Sequence, residues 1–218
     1  MRKAGIICSE NRVAMLMRLN GLVAVQRRPF KVTTDSKHNF PIASNLLNRN
    51  FISPKPNRIW VGDITYIWTS EGWLYLAFVL DLYCRGVVGL AMSERRTDDL
   101  TQNALKQAIL RRAPPEGLIY HSDRGSQYAS GDYRALIEKY DMFASMSRKG
   151  DCWDNAPVER FFGSLKTERL ESYRFATRKE AQIEILDYIT YYNFVRLHST
   201  LGYQSPMQYE KEQLQKVA

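Results

Sequence analysis

Three apolar runs follow one another between residues 59 and 93, and they limit the possible folds more than any other part of the sequence. The runs, at residues 59–68, 72–83 and 86–93, are rich in the β-branched and aromatic residues that favour strands. The short sequences between them, Ser-Glu-Gly and Cys-Arg-Gly, are typical of turns. Because such turns join neighbouring strands, the sequence predicts three consecutive antiparallel strands here.

After residue 93 the pattern changes to alternating helices and strands. Thr97 is expected to cap the first of these helices, and Pro114 and Pro115 are expected to end it. The predicted elements are a helix at 97–112, a strand at 117–123, a helix at 132–140, a strand at 142–147, a polar loop at 148–157 and a long helix at 158–170. Three adjacent strands followed by such units predict an α/β fold, with a mixed sheet flanked by helices.

The segments on either side of this core differ from it and from each other. A helix is expected at 10–19, between a Ser9 cap and an Asn20-Gly21 stop. Residues 27–57 are rich in Pro, Asn and Ser and are interpreted as a linker. A helix through 180–195 and a polar tail follow the core. The predicted division is a basic N-terminal segment (1–57), a core (58–176) and a C-terminal helical tail (177–218).

Positive charge is concentrated in the first quarter of the chain. Residues 1–58 contain 11 Lys and Arg against 2 Asp and Glu, whereas residues 59–218 contain 20 against 21. A cationic segment binds nucleic acid by releasing the counterions of its phosphates, so this imbalance indicates a nucleic-acid partner. Charge alone equally allows a solvated, disordered tail.

Composition disfavours several classes of protein. No run approaches the roughly 18 apolar residues of a membrane span, and the N-terminus has too short an apolar run for a secretory signal. Cys8, Cys84 and Cys152 are far apart in sequence, and the three histidines are equally dispersed. Neither a disulfide framework nor a zinc site is therefore indicated, and a reduced cytosolic compartment without a membrane partner is expected.

Three acidic residues occupy positions where a charge requires an explanation. Asp63 interrupts the first apolar run, on one strand face with Ile59 and Val61. Asp123 closes the fourth strand, and ligands of open α/β sheets bind at strand ends. Glu159 lies in the first turn of the long helix, whose apolar residues at positions 158, 161, 162 and 165 are spaced to face the core. Carboxylate oxygens are the hard ligands that Mg²⁺ prefers, and two such ions support phosphoryl transfer, so the set predicts a metal site.

Each of these acids also has a purely structural explanation. Asp63 fits an edge-strand or turn position, and Asp123 fits an Asx turn before Gly125. Glu159 fits the N-terminal end of a helix dipole. The joint occurrence on two central strands and a helix favours the metal site over the three separate explanations.

Basic and polar residues near these acids are candidate DNA contacts. Lys166 is two helical turns from Glu159 on the same face, where it is expected to meet a phosphate; a solvated lysine is the alternative. The loop before the helix mixes cations with an aromatic residue, as single-strand binding surfaces do, although a structural cap explains it equally. The further candidates are Arg124, Arg148, Lys149 and Asn155.

Five blocks of the sequence together resemble a known family. They are IWVGDITY, VLDLYCRGVVG, HSDRGSQYAS, SMSRKGDCWDNAPVERFFGSLKTE and YYNFVRLHSTLGYQSP, in the expected order. They resemble the second-frame transposase of the bacterial insertion-sequence family three, which is related to retroviral integrases, over about residues 9–210. Between Asp123 and Glu159 lie 35 residues, the interval in that family's Asp-Asp-Glu signature.

The resemblance implies a fold and a chemistry. The core is expected to be ribonuclease H-like, with a mixed five-stranded sheet flanked by helices, a short basic N-terminal segment and a C-terminal helix. Asp63, Asp123 and Glu159 are then the catalytic acids and the ligands of Mg²⁺, for which Mn²⁺ substitutes, with two ions expected. The reaction implied is strand cleavage at the end of a mobile element, followed by strand transfer to another phosphodiester.

The resemblance also implies partners. DNA is expected at the element ends and at the target, with self-association in a synaptic complex in the nucleoid of a bacterial cytoplasm. Residues 2–22 resemble only the last portion of the family's helix-turn-helix, so a first-frame helix-turn-helix partner or fusion is expected. The alternative is an inactive or truncated remnant that only binds DNA. A ribonuclease or junction nuclease of the same fold is a third interpretation, less consistent with the five blocks.

Overall fold

The computed structural model describes residues 7–23 and 39–216, which belong to two compact units divided near residue 31. In the first unit, helix α1 spans Glu10–Leu19, as predicted. The Ser9 hydroxyl accepts a hydrogen bond of 3.3 Å from the Arg12 backbone, and the helix ends at Asn20. None of its residues is buried within the described chain. Residues 1–6 and 24–38 of the predicted basic segment lie outside the described residues.

The second unit is built on a mixed five-stranded sheet, as predicted, in the spatial order β3-β2-β1-β4-β5. The first three strands form the predicted antiparallel meander, whereas β4 and β5 run parallel to β1. The strands are β1 (Ile59–Thr69), β2 (Gly72–Asp81), β3 (Val87–Ser93), β4 (Ile119–Ser122) and β5 (Phe143–Met146).

Helices cover both faces of this sheet, because the strands are apolar on both sides. On one face, α2 and α4 pack through Leu105 and Tyr133. On the other, α5 and α6 pack on β2, with the rings of Phe78 and Phe161 4.6 Å apart. The helices of the unit are α2 (Asp98–Arg112), α3 (Ser126–Ala129), α4 (Gly131–Lys139), α5 (Ala156–Leu165), α6 (Arg178–Phe194) and α7 (Pro206–Gln215). No helix of the described residues is long and apolar enough to cross a membrane.

Several local predictions differ from the structure. Thr97 is the N-cap of α2, but its side chain makes no capping hydrogen bond, and two aspartates occupy the first turn instead. The predicted loop before the long helix contains a 3₁₀ turn at Cys152–Asn155, and the helix ends in a π-helical turn at Lys166–Leu170. The predicted polar tail contains α7, which begins at Pro206 after a Ser205 cap. Helix α7 is mostly polar, and it buries only Pro206 and Glu210.

Residues 39–57, assigned to the linker by sequence, lie on the core, and we call them the strap. Leu47 is buried, and the Leu46 backbone donates to the Ser145 hydroxyl at 2.9 Å. The Arg85 guanidinium donates to the carbonyl of Phe51 at 2.8 Å. The strap is therefore attached to both β5 and the turn after β2.

The C-terminal helices are also packed on the core. The Asn193 side chain makes two hydrogen bonds of 2.9 Å with the backbone of Val87. His198 lies 2.8 Å from the buried hydroxyl of Tyr192, and Arg196 forms an ion pair with Glu168. Asn193 thus bonds α6 to β3, whereas Arg196 bonds the segment after α6 to the π-helical turn that contains Glu168.

Candidate active site

Asp63 and Asp123 lie side by side because their strands run parallel. Val61 on β1 pairs with His121 on β4, and each aspartate follows its paired residue by two positions. Gly62 allows a close approach here: a Cβ at that position would lie 1.9 Å from the Tyr120 hydroxyl. The predicted meeting of these two acids, beside the end of β4, therefore follows from the strand register.

Glu159 reaches the same region from α5. The apolar residues at positions 158, 161, 162 and 165 are buried against the sheet, as the helical spacing predicted. Pro157 occupies the first turn, after Asn155. Because the buried stripe fixes the rotation of the helix, Glu159 lies on the neighbouring face and remains half-buried.

The pKa of Asp63 shows that the other two acids lie close to it. Burial is the main cause that raises the pKa of Asp63 well above its usual range, and the charge of Asp123 is the second. Glu159 raises the Asp63 pKa further, whereas the Ile64 backbone N–H and the Arg96 charge lower it. Burial also raises the pKa of Glu159. The three carboxylates are thus close enough for the charges of Asp123 and Glu159 to act on Asp63.

Asn155 links the start of α5 to β1. Its side-chain amide donates to Asp63 Oδ2 at 3.2 Å, and the Ile64 N–H donates to Asp63 Oδ1 at 2.7 Å. The Asn155 Oδ1 atom is buried without a hydrogen-bond partner among the described residues. A buried acceptor beside a charged carboxylate is costly unless a further group binds there.

A divalent ion fits the chemistry of this donor set. Mg²⁺ keeps several waters and binds proteins through one or two carboxylates together with substrate phosphates. Asp63 and Asp123 supply such a pair of hard oxygen donors. Within residues 7–23 and 39–216, no three His, Cys, Asp or Glu side chains converge on one ion site. Water and phosphate oxygens would therefore supply much of the coordination of any ion held here.

Lys166 is the candidate DNA contact that lies near the carboxylates. It begins the π-helical turn, and its Nζ atom lies 5.7 Å from the ring centre of Tyr66 and 6.0 Å from that of Phe162. Burial lowers the pKa of Lys166, and the charges of Asp63 and Glu171 oppose that shift. A π turn inside a helix is often found at functional sites.

The remaining candidate DNA contacts have protein partners or lie further out. Arg124 donates through Nε to the Ser147 carbonyl at 2.6 Å. The Arg148 guanidinium donates to both carboxylate oxygens of Asp154, at 2.9 and 2.7 Å. Lys149 is exposed. Asn155 turns its amide toward Asp63.

Asp154 is a central residue that the sequence did not single out. Its buried carboxylate accepts hydrogen bonds from Arg148, from Asn45 Nδ2 at 2.9 Å and from Arg49 Nε at 3.0 Å. The side-chain hydrogen bond from Arg148 is the main cause that holds the Asp154 pKa well below its usual range. The strap is therefore bonded to the loop that precedes α5, which local sequence patterns give no means of detecting.

The buried His121 also contacts the loop that precedes α5. His121 Nε2 lies 3.0 Å from the Asp154 carbonyl, and its Nδ1 lies 2.8 Å from the Ser145 hydroxyl. Burial lowers the His121 pKa to about 4, so the ring is neutral at physiological pH. His121 joins β4, β5 and the start of the helix that carries Glu159.

Comparisons with known proteins agree with this architecture. An integrase core domain family matches residues 53–152, and a second integrase core domain family matches residues 159–214. The insertion element IS600 uncharacterized 31 kDa protein of Shigella sonnei is 49% identical, over 98% of this chain and 79% of that protein. Transposase InsF for insertion sequence IS3A of Escherichia coli strain K12 is 43% identical, over 98% of this chain and 75% of that protein.

Solved structures share the fold at low sequence identity. A chain of the simian T-cell lymphotropic virus intasome, in complex with PP2A regulatory subunit B56 gamma, has a TM-score of 0.64 and 20% identity, over 81% of this chain and 60% of that one. The HTLV-2 integrase catalytic core domain in complex with magnesium has a TM-score of 0.58 and 20% identity, over 72% of this chain and 99% of that one. The predicted ribonuclease H-like fold is confirmed. By its relatives, the chain belongs to the integrase-core transposases of the bacterial insertion-sequence family three, which are enzymes of the polynucleotidyl transferase type.

Proposed function

We propose that this protein cleaves DNA strands at the ends of an insertion sequence and joins them to target DNA, with Asp63, Asp123 and Glu159 as the catalytic acids. The observation that supports this most strongly is the raised pKa of Asp63, caused by burial and by the charges of the other two acids. Folded proteins tolerate such a concentration of negative charge mainly where a cation binds.

A divalent metal is the proposed cofactor. Two Mg²⁺ ions, or Mn²⁺ in their place, would activate an attacking oxygen and stabilise a leaving one. Asp63 and Asp123 would hold the ions from the sheet edge, and Glu159 from α5. Asn155 orients Asp63 through its hydrogen bond, and a related fold is known in complex with magnesium.

DNA is the proposed substrate and partner. Lys166 would hold a phosphate beside the carboxylates, while Arg124, Arg148, Lys149 and Asn155 are further proposed contacts. The excess of Lys and Arg in residues 1–58 would add phosphate contacts that position the protein without reading bases. An integrase of this fold occurs in an intasome, and self-association in a synaptic complex is proposed here by analogy.

Recognition of the element ends is proposed to need a first-frame helix-turn-helix partner or fusion. A recognition helix is held across DNA by the helix before it. Helix α1 buries no residue within the described chain, and Leu19 is 73% exposed. We expect the chain alone to bind duplex DNA with strong salt dependence and little sequence preference.

The test of this function is a strand-joining assay with the full chain and a first-frame partner. A labelled duplex that carries the element's terminal repeat is incubated with Mg²⁺, with Mn²⁺ or with EDTA. We expect nicked and joined products with either metal and none with EDTA. DNA binding without any product in either metal would favour the inactive, DNA-binding remnant instead.

A further inference from the structure

Arg96 is a half-buried cation beside the carboxylates that has few partners of its own. It lies in the loop between β3 and α2, and its Nη2 atom donates a long hydrogen bond of 3.4 Å to Gln127 Oε1. Its Nε atom is buried and has no hydrogen-bond partner in the described part of the chain. A guanidinium carries five N–H donors, and leaving buried ones unpaired is costly.

Gly125 lies next to Arg96, and its lack of a side chain avoids crowding of Asp123 and Gln127. A Cβ on Gly125 would lie 3.0 Å from Asp123 Oδ1, 3.2 Å from Gln127 Oε1 and 3.8 Å from Arg96 Nη2. We call the region between these three atoms the cradle; Asp123 Oδ1 and Gln127 Oε1 are acceptors, and Arg96 Nη2 is the donor. The Gly125 N–H donates to Asp123 Oδ1 at 2.9 Å, and this bond orients the Asp123 carboxylate.

Charge decides what this cradle accepts. The positive charge of Arg96 acts on Asp63, from the side of the β3–α2 loop, while Lys166 acts on Asp63 from α5. If Asp63 and Asp123 hold divalent ions, Arg96 faces the positive charge of those ions instead of the negative charge of the carboxylates. Two like charges at close range repel in a partly buried site, so an anion is needed between them.

We infer that Arg96, beside Gln127 and Gly125, is the cationic donor of a phosphate subsite of the active site, which takes a phosphodiester group of the substrate DNA next to the ions held by Asp63 and Asp123. The inference rests on the proposed function. Arg96 donates its free N–H groups to the phosphate oxygens, the bidentate geometry that guanidinium groups favour. Lys166, in the π-helical turn that follows α5, also contacts the DNA backbone.

The experiment measures the salt dependence of DNA binding, which does not require turnover. A fluorescein-labelled duplex of arbitrary sequence is titrated with the full chain at several KCl concentrations, in Ca²⁺ or in EDTA. The proteins are the wild type, Arg96→Ala, Arg96→Lys and the control Arg95→Ala, which removes an exposed arginine of the same loop. Thermal unfolding verifies that each variant is folded.

We expect Arg96→Ala to reduce the log–log salt slope by about 0.9, the contribution of one phosphate contact, in Ca²⁺ but not in EDTA. Arg96→Lys keeps the slope because the charge remains. For Arg95→Ala, we expect the change in slope, if there is one, to be equal in Ca²⁺ and in EDTA. Metal affinity by calorimetry should be undiminished in Arg96→Ala, because the change removes a competing cation.

The opposite results would overturn the subsite. An Arg96→Ala slope equal to that of the wild type in Ca²⁺, or equally reduced in both media, rules out a phosphate contact that depends on the ions. A loss of metal affinity assigns Arg96 to holding the carboxylates in place.

Strand joining by the same proteins separates this inference from the proposed function. We expect Arg96→Ala and Arg96→Lys to join about tenfold to a hundredfold more slowly than the wild type, the cost of one charge-assisted hydrogen bond. A wild type that joins nothing, but shows the Ca²⁺-dependent effect of Arg96, contradicts the reaction and supports the subsite. An active wild type matched by both variants contradicts the subsite alone.

Discussion

The side-chain amide of Asn155 donates a hydrogen bond of 3.2 Å to the carboxylate of Asp63, across 92 positions of sequence. The bond connects the first residue before α5 with the middle of β1. Glu159 follows on that helix one turn later, so the same short segment sets the positions of two of the three proposed catalytic acids.

Replacing Asn155 by aspartate should change the pH dependence of strand joining. The new carboxylate removes a donor from Asp63 and adds a like charge, and both effects raise the Asp63 pKa further. At saturating Mg²⁺, the acidic limb of the rate profile should therefore move to higher pH. Asn103→Asp, which adds the same charge on the exposed face of α2, should leave the profile unchanged. An unmoved limb in Asn155→Asp would show that Asp63 does not titrate in the reaction.

Two aspartates on neighbouring strands should respond oppositely to neutralisation. Asp63→Asn should stabilise the metal-free protein by roughly 1–2 kcal/mol at pH 7, because it removes a buried charge repelled by two others. Asp63 also accepts a hydrogen bond on each oxygen, but one donor is the Asn155 side-chain amide, which can turn its unpaired Oδ1 toward a new N–H₂ group. Asp81 accepts from the backbone N–H groups of Asn57 and Tyr83, one on each oxygen, and these cannot turn. Asp81→Asn places an amide N–H₂ against one of those donors and should cost roughly 1–3 kcal/mol. Urea unfolding of both variants measures this, and a destabilised Asp63→Asn would contradict the account.

Asp154 should make the stability of the protein depend on pH in the acid range. Its pKa is held below the usual value, so its contribution is complete above about pH 4 and is lost as the pH falls through the folded-state pKa. Asp154→Asn should therefore lower the free energy of unfolding by roughly 1–3 kcal/mol at pH 7. The difference from the wild type should shrink between about pH 4 and pH 2. A difference that stays constant over that range would mean that the ionised carboxylate is not what holds the loop.

Lys166 should contribute to DNA binding and not to metal binding. Lys166→Ala should reduce the salt slope by about 0.9, with metal affinity preserved. Lys179→Ala, an exposed lysine in the first turn of α6, is the matched control. A full slope together with full activity in Lys166→Ala would identify Lys166 as a structural lysine that packs on Tyr66 and Phe162.

The parts of the fold that short-range signals determine could be predicted from the sequence. Helix α1 begins and ends where Ser9 and Asn20 indicated, because a cap acts within one helical turn. The apolar runs gave the three antiparallel strands, and Val158 and Phe161 gave the buried face of α5. Helix α7 was missed although Ser205 and Pro206 mark its start, since a polar helix lacks the apolar period that identifies helices.

The contacts that complete the candidate site could not be predicted in this way. Asn45 bonds Asp154 across 109 positions, and Arg96 bonds Gln127 across 31. Such pairs depend on the final packing of strands and helices, and no spacing rule connects them. The signal available for Arg96 was its position just after a strand of the sheet, where ligands of α/β proteins bind.

Mg²⁺-dependent strand joining by Asp63→Asn, Asp123→Asn and Glu159→Gln is the decisive measurement for the proposed catalytic acids. Each change removes one negative charge with little change in volume, and Asp132→Asn and Glu138→Gln make the same changes on the exposed face of α4. We expect each of the first three variants to lose at least about a thousandfold in joining rate, while it stays folded and binds DNA. The two control variants should join at the wild-type rate. Near-normal joining by any one of the three would exclude that carboxylate from the active site and contradict the proposed triad.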